Sequence, residues 1–281
     1  MTQRIAILFH RNTRPEALRY YVITHVAECW REQGFDVRLL RGTKEYVPAD
    51  ILFVHVDLTV VPDEYLEFAR RYPIVINGAV KDIRKTVFSQ IRLRPGDDYR
   101  GPVFLKSNLN YGGLPEARFR FPWAWWQSPA VQNMVRALRS VRRLPFRRSD
   151  QYRIFPDLKS VPRRWLSHPD LIVEKFLPET EDGIFILRAY CCLGDQFHST
   201  RRCSADPVVK ARIDVRNEPI TPHPGITDFR RRMHLQYGKL DYVVHNEELI
   251  VLDVNKTIGA TRFHQPATIR KYAAGIHSFL A

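Results

Sequence analysis

The sequence predicts an α/β protein of several lobes, on three observations. Over the first 80 residues, short apolar runs alternate with segments of helical period, which is typical of a parallel sheet with helices on its faces. From residue 171 onwards, short apolar strands follow one another with turns between them. The 281 residues suffice for two or three lobes that each bury a core. We therefore expect an N-terminal βαβ lobe (1–80), a central lobe (81–170) and a C-terminal lobe (171–281).

The elements of the N-terminal lobe follow from its hydrophobic pattern. Strands are expected at 5–9, 37–40, 51–56 and 74–76, and helices at 15–33 and 62–71. The first run lacks the length and the cleavage site of a signal peptide, so we interpret it as a strand. No GxGxxG motif follows this strand, which argues against a dinucleotide-binding fingerprint.

In the other two lobes, segments with the hydrophobic period of a helix also alternate with short apolar runs. We expect helices at 82–91 and 131–141, and strands at 103–106, 171–176, 184–192, 196–199, 242–244 and 249–254. The segment 246–248 between the last two strands is predicted to be a hairpin turn.

Positive charge is concentrated in one segment. The net charge is +14, and residues 114–168 contain twelve Arg or Lys against three Asp or Glu. Such a segment attracts nucleotides, phosphorylated compounds, acidic peptides or RNA, unless it is only a solvated basic face. Trp123, Trp125 and Trp126 lie within it, and basic residues interleaved with aromatic ones also occur in nucleic-acid-binding proteins. The interpretation we favour is an amphipathic helix whose tryptophans pack on a core.

The cysteines and the hydropathy indicate where the chain functions. Cys29, Cys191, Cys192 and Cys203 form no CxxC pair, so we expect free thiols in a reducing cytoplasm. No apolar run approaches the roughly 18 residues that a membrane helix needs, and we expect no membrane partner.

Three oxygen-bearing side chains are expected to converge in the last predicted hairpin. Asp253 and Asn255 are two residues apart on one strand and therefore share a face. Asp241 begins the preceding strand, and antiparallel pairing places it opposite them. Such oxygens suit Mg²⁺, which also takes phosphate oxygens. A solvent-facing hairpin does not explain why these residues interrupt an apolar strand on a single face.

Two other segments carry weaker signals, and one histidine is a further candidate. Lys106 ends an apolar strand and precedes Gly112 and Gly113, and a lysine before a glycine loop often binds phosphate. Segment 171–179 leads from a strand into a Pro turn, which fits either plain architecture or a hinge that pairs with an adenine edge. His10 ends the first strand, where it either contacts a substrate or caps the strand.

Three features in this order resemble the ATP-grasp superfamily: the lysine with its glycine loop, the strand before the Pro turn and the acid-bearing hairpin. The branch that they resemble contains glutathione synthetase and the ribosomal-protein-glutamate ligase. The resemblance runs from about residue 75 to 262, and the preceding region resembles the N-terminal lobe of the superfamily. It implies an ATP-grasp fold in which two lobes enclose ATP, with the central lobe as a lid.

The resemblance also implies roles for individual residues. ATP would contact Lys85, Lys106, Gly112, Gly113, Glu174, Lys175, Phe176, Leu177 and, at its ribose, Glu181 in preference to Glu179. Mg²⁺ would be held by Asp241, Asp253 and Asn255. The candidate catalytic residues are Arg188, Arg202 and Lys256.

The implied reaction is a Mg-ATP-dependent ligation. A substrate carboxylate attacks the γ-phosphate to give an acyl phosphate and ADP, and an amine then displaces phosphate to form an amide. Phosphoryl transfer of this kind depends on positioning and charge neutralisation. The basic segment implies an anionic small molecule or peptide as substrate.

Three departures from the superfamily and two alternatives accompany this prediction. Asp253 replaces the usual glutamate, Lys256 opens a segment that replaces the usual small-residue and Pro-Gly ending, and 61 positions separate Gly113 from Glu174. The alternatives are an ATP-grasp kinase that phosphorylates a hydroxyl, and a non-catalytic nucleic-acid-binding protein.

Overall fold

The computed structural model of the chain describes residues 2–122, 125, 128–141, 152–209, 216–260 and 265–280. These residues form one parallel sheet and two antiparallel sheets with helices packed on them, which confirms the predicted α/β class. Within the same ranges, no helix is both long enough and apolar enough to cross a bilayer.

The N-terminal lobe is a four-stranded parallel sheet. Its strands are β1 (Arg4–Phe9), β2 (Asp36–Arg41), β3 (Ile51–Val54) and β4 (Ile74–Ile76), in the order β2-β1-β3-β4. Its helices are α1 (Val22–Glu32) and α2 (Asp63–Ala69), with a 3-10 helix at Pro15–Tyr20. The helix expected at 15–33 is interrupted because Tyr21 is extended and bridges to Gly259. Gly34, with a φ of +91°, follows the end of α1.

The central lobe is built on a four-stranded antiparallel sheet in the order β5-β8-β6-β7. Its strands are β5 (Arg92–Leu93), β6 (Val103–Ser107), β7 (Arg153–Phe155) and β8 (Leu171–Lys175). Its helices are α3 (Lys85–Phe88), α4 (Leu114–Phe119), α5 (Pro129–Val141) and α6 (Arg163–Leu166), with a 3-10 helix at Asn110–Gly113. Because β8 pairs with β5 and β6, it lies in this sheet and not in the C-terminal one.

The helix expected at 82–91 shrinks to the single turn α3, so this prediction is wrong over most of its length. Asp82 accepts a hydrogen bond from the backbone N–H of Arg84 at 2.9 Å, which holds the entry as a turn. Ser89 then returns to an extended conformation.

The C-terminal lobe is a six-stranded antiparallel sheet in the order β12-β11-β10-β13-β14, with β9 also paired to β10. Its strands are β9 (Glu179–Glu181), β10 (Ile184–Leu193), β11 (Gln196–Ser204), β12 (Arg216–Pro219), β13 (Tyr237–His245) and β14 (Glu248–Asn255). Its helices are α7 (Ile226–Arg232) and α8 (Pro266–Ala274), followed by a 3-10 helix at Gly275–Phe279. Asn246 and Glu247 both have positive φ, which confirms the predicted hairpin turn and is typical of a two-residue connection.

The surface of the basic segment differs from the interpretation favoured above. Trp125 is 57% exposed, so the expectation that it packs on a core is wrong, and Met134 on α5 is 42% exposed. Trp123, Trp126 and the arginines between 142 and 151 lie outside the described residues. The four cysteines are free thiols, as predicted.

Buried side chains of the N-terminal lobe form hydrogen bonds with the C-terminal lobe. The indole N–H of Trp30 on α1 donates to the carbonyl of Ala273 on α8 at 2.9 Å. Asn77, which is buried after β4, accepts hydrogen bonds from the N–H groups of Gln236 and Tyr237 and donates to the carbonyl of Tyr237 at 2.7 Å. Its φ of +60° is tolerated by asparagine better than by most residues.

We predict that Asn77→Ala lowers the free energy of unfolding by about 3 kcal/mol, because it leaves buried N–H and C=O groups unpaired. Urea unfolding followed by circular dichroism measures the change. Replacing the exposed Gln3 by alanine is the control and should change stability by less than about 0.5 kcal/mol. A wild-type midpoint for Asn77→Ala would contradict the role given to these bonds.

Candidate active site

One face of the C-terminal sheet carries the three residues that were predicted to bind a metal ion. Asp241 on β13 lies directly opposite Asp253 on β14, and Asn255 follows two residues later on the same face. Asp241 lies in the middle of its strand, not at the start. We call this side of the sheet the acid-bearing face. The register thus brings the three side chains to one face, as the sequence spacing predicted.

The hairpin contains an irregularity next to these residues. The pairing register shifts between Asp241 and Tyr242, so that Tyr242 is opposite Val251 and Leu252 is an extra residue on β14. A β-bulge of this kind leaves the extra residue outside the ladder. The carbonyl of Leu252 instead accepts a hydrogen bond from Nζ of Lys106 at 2.8 Å.

Three cationic side chains accompany the acid-bearing face. Lys85 Nζ lies 2.9 Å from Asp253 Oδ1, and Lys239 Nζ lies 2.7 Å from Asp241 Oδ2. Arg202 on β11 is on the same face by register, and it acts electrostatically on Lys239. Burial opposes the charged form of Lys239, but the charge and the hydrogen bond of Asp241, together with Cys191, raise the pKa of this lysine. Lys239 therefore stays protonated beside the acids.

Lys106 forms a second, more deeply buried ion pair in the central lobe. Its Nζ lies 2.5 Å from Glu174 Oε2, and the two side chains are 3% and 1% exposed. Burial lowers the pKa of Lys106, while Glu174 opposes this effect. The pair spans the neighbouring strands β6 and β8. It therefore fixes the direction in which Lys106 points towards the C-terminal sheet.

The remaining residues of the predicted hinge follow this pair. The N–H of Lys175 donates to the carbonyl of Ile91, and that of Phe176 donates to the carbonyl of Pro102. Leu177 packs in the small apolar cluster of Ile91, Val243 and Ile250. The hinge thus connects β8 to the C-terminal lobe through backbone and apolar contacts.

Of the two acids considered for a ribose, one is exposed and the other is engaged. Glu181 is 60% exposed and its carboxylate meets Arg201 at 2.8 Å. Glu179 accepts three hydrogen bonds from the guanidinium of Arg188 and one from the N–H of Val244.

The structure does not bring Arg188 to the acid-bearing face. Arg188 pairs with Tyr242, whose side chain alternates with that of Asp241 and lies in the core under α7. Its guanidinium forms a bidentate pair with Glu179, in which Nη2 donates to Oε1 at 2.6 Å and Nε donates to Oε2 at 3.0 Å. The physical reason is that successive side chains of a strand point to opposite sides of the sheet, and Arg188 is one position away from Ala189, the residue that pairs with Asp241.

Lys256 lies beyond β14, between the acid-bearing face and the N-terminal lobe. It is 1% exposed, and its Nζ has no hydrogen-bond partner among the described residues. Burial lowers its pKa to about 8, and the carboxylates of Asp57, Glu116 and Asp82 oppose that effect. The next residue, Thr257, donates to Asp57 Oδ1 at 2.7 Å.

The Gly112–Gly113 turn lies against the N-terminal lobe. Both glycines have positive φ, and the N–H of Asn110 just before them donates to Thr59 Oγ1 at 2.9 Å. Glu116 on α4, just after them, accepts hydrogen bonds from the N–H and the hydroxyl of Thr59. A cavity of about 280 Å³ lies here, and His10, Thr59 and Glu116 are among the residues that line it.

The acid-bearing face fits a divalent cation. Asp241 Oδ1 is buried and has no hydrogen-bond partner among the described residues, although its other oxygen meets Lys239. In those residues no three His, Cys, Asp or Glu side chains come together. A cation would therefore depend on two carboxylates, one amide oxygen and oxygens of a ligand, which is the mixture that Mg²⁺ accepts.

Sequence reasoning missed some of these residues. Lys239 lies two positions before Asp241, so strand alternation would have placed it on the same face. Asp57 and Glu116 carry no local signal, because only the packing of three lobes brings them near Lys256.

Comparison with known proteins concerns the fold. No protein-family model and no curated protein matches the sequence. The macrocyclase MdnC from Microcystis aeruginosa, bound with precursor peptide MdnA, matches with a TM-score of 0.50 at 10% identity, over 98% of this chain and 100% of that one. The RimK-domain ATP-grasp protein from Sphaerobacter thermophilus matches with a TM-score of 0.48 at 11% identity, over 99% of this chain and 100% of that one. D-alanine–D-alanine ligase from Bacillus anthracis matches with a TM-score of 0.49 at 11% identity, over 99% of this chain and 95% of that one. The match with MdnC concerns the fold alone, which is the ATP-grasp fold that the resemblance predicted.

We predict that Lys106→Met lowers the free energy of unfolding by about 3–5 kcal/mol, because Glu174 is then a buried carboxylate without its partner. Replacing both residues by methionine should be much less destabilising, since no charge is left buried. Urea unfolding of the two single variants and the double variant measures the coupling.

The control is the exposed pair of Lys81 and Asp63, where Lys81→Met should cost less than about 1 kcal/mol. If Lys106→Met were as mild as Lys81→Met, the buried pair would not have the structural role assigned here.

Proposed function

We propose that this chain is an ATP-dependent ligase that joins a carboxylate to an amine, releasing ADP and forming an acyl phosphate on the way. The observation that supports it best is the meeting of two lysines of the central lobe with the acid-bearing face. Lys106 reaches the carbonyl of Leu252 at 2.8 Å, and Lys85 reaches Asp253 at 2.9 Å. Cations and carboxylates at one junction of lobes suit a polyphosphate that carries a divalent cation.

ATP is proposed to lie between the central and C-terminal lobes. Lys85 and Lys106 bind its phosphates, the hinge 174–177 contacts the adenine, and the exposed Glu181 contacts the ribose. Gly112 and Gly113 remain candidates for the loop that covers the phosphates. The positive φ of both residues lets their backbone approach a ligand closely.

The acid-bearing face is proposed to hold Mg²⁺ through Asp241, Asp253 and Asn255. When bound, the cation supplies charge neutralisation at the phosphate oxygens. Arg202 and Lys239, on the same face, stabilise the negative charge of the transferred phosphoryl group. Arg188 is left out of this set because its pair with Glu179 lies on the other face.

The acid substrate is proposed to bind near Lys256. A buried ammonium without a hydrogen-bond partner is unfavourable, and a substrate carboxylate would pair with it. This position follows Asn255 directly, so the attacking carboxylate would lie beside the phosphate site. The charge of segment 114–168 favours an anionic substrate, and the peptide bound to MdnC is a reason to test peptides beside small molecules.

We predict that a non-hydrolysable ATP analogue binds in the presence of Mg²⁺ with a dissociation constant on the order of micromolar, measured by calorimetry. Asp253→Asn should weaken this binding by about tenfold or more, which corresponds to about 1.4 kcal/mol. The reason is the loss of a carboxylate that pairs with Lys85 and is proposed to hold the cation. Omitting Mg²⁺ should reduce the difference between the two proteins.

The matched control is Asp195→Asn, an exposed acid at the turn between β10 and β11, which should bind like wild type. Equal affinities of wild type and Asp253→Asn would refute the metal assignment. With substrates in hand, an amide and free phosphate support the ligase, whereas a stable phosphoester shows the kinase.

A further inference from the structure

The cavity beside Glu116 has the features of a binding site for an amine. Its volume of about 280 Å³ is at the low end for pockets that hold small molecules, so it suits a compact group. Four of its eight lining residues are apolar: Leu58, Val60, Leu109 and Phe119.

Glu116 provides one fixed carboxylate oxygen and one free one. Oε1 accepts hydrogen bonds from the N–H of Thr59 at 2.7 Å and from its hydroxyl at 2.5 Å. Oε2 is buried and has no hydrogen-bond partner among the described residues. A buried carboxylate oxygen without a donor is unfavourable, so a ligand that donates to it gains free energy.

The other charges near the cavity do not satisfy this oxygen. Lys256 acts on Glu116 only through space, since neither forms an ion pair with the other. Arg120 lines the cavity but is exposed. His10 stacks on Phe119 with ring centroids 4.3 Å apart, and burial, with Arg11 adding to it, lowers its pKa to about 4. The histidine is therefore uncharged at neutral pH.

We propose that this cavity binds a primary ammonium group attached to an apolar body, with the ammonium pairing with the carboxylate of Glu116, which lines the cavity, and the apolar part packing on Leu109 and Phe119. If the proposed ligase function holds, this ligand is the amine substrate, and Glu116 is the residue that selects it. Thr59 is a positioning residue, because its N–H and its hydroxyl hold the carboxylate of Glu116 and neither is left to bind the ligand.

The site also connects the amine to the rest of the proposed reaction. Glu116 lies just after the Gly112–Gly113 turn, and a Cβ at Gly113 would be 3.8 Å from Glu116 Oε2 and 2.9 Å from Leu109. The wall of the cavity thus adjoins the loop proposed to cover the phosphates, through Leu109 and Glu116 on either side of it. An amine in this cavity and a carboxylate at Lys256 would approach the phosphate site from the same side, that of the N-terminal lobe.

The test is binding of 2-phenylethylamine and of its uncharged analogue 2-phenylethanol, followed by ligand-detected NMR without nucleotide. We expect saturable binding of the amine to wild type, and at least tenfold weaker binding to Glu116→Gln, which keeps an oxygen for Thr59 but loses the charge. Binding of 2-phenylethanol should be the same in both proteins. Glu64→Gln, which changes an exposed acid of the same lobe outside the cavity, should bind the amine like wild type.

A second variant keeps the test valid if Glu116→Gln fails to fold. Val60→Trp fills the cavity from its outer wall and leaves Glu116 and Thr59 in place, so it should abolish binding of both probes. Absence of amine binding to wild type, equal binding by Glu116→Gln, or unchanged binding by Val60→Trp would each overturn the proposal. The nucleotide experiment does not depend on this cavity, so failure here and failure of the ligase proposal are distinguishable.

Discussion

The buried ion pair between Lys106 and Glu174 is the interaction on which the junction of the lobes depends. On β6, Val103 and Leu105 point into the core of the central lobe, so Lys106 must face the other side, towards the C-terminal sheet. Desolvation there would be costly for a lone ammonium, and Glu174 on the neighbouring strand compensates it. The Leu252 carbonyl, freed by the bulge in β14, accepts a hydrogen bond from the same ammonium. One lysine thus ties two strands of one sheet to an irregularity in the other.

Strand alternation determines which side chains lie on the acid-bearing face. Asp241, Asp253, Asn255, Lys239 and Arg202 share the face because even spacings and antiparallel pairing preserve the side of the sheet. The same rule sends Arg188 to the back, where a bidentate pair with Glu179 anchors β9 to β10. Two arginines that look equivalent in the sequence therefore have different surroundings.

The sequence was sufficient for features that depend on local period and was insufficient for those that depend on packing between lobes. The parallel N-terminal sheet, the β13–β14 hairpin and the convergence of its three polar residues all follow from spacing along the chain. The helix expected at 82–91 fails because a side-chain contact of Asp82 competes with helix formation, and propensity does not record that competition. The position of Lys239 could have been predicted from strand alternation, because it is two residues before Asp241. Glu116 was not, since its partner Thr59 is 57 residues away and belongs to another lobe.

The balance of charge at the junction of the central and C-terminal lobes favours the anionic ligand that is proposed to bind there. Four cations (Lys85, Lys106, Lys239 and Arg202) accompany three carboxylates (Asp241, Asp253 and Glu174). Each acid is already held by a lysine. The Lys106–Glu174 pair is buried, which makes its electrostatic interaction stronger than in solution, whereas the Asp253 side chain is 32% exposed. Under the proposed function, Lys85 and Lys239 would pair with oxygens of a polyphosphate, and Asp241 and Asp253 would hold the divalent cation instead of these lysines. In the proposed complex, Lys106 would keep Glu174 as its partner and would contact phosphate through another of its three N–H groups, so that the buried charges would stay paired.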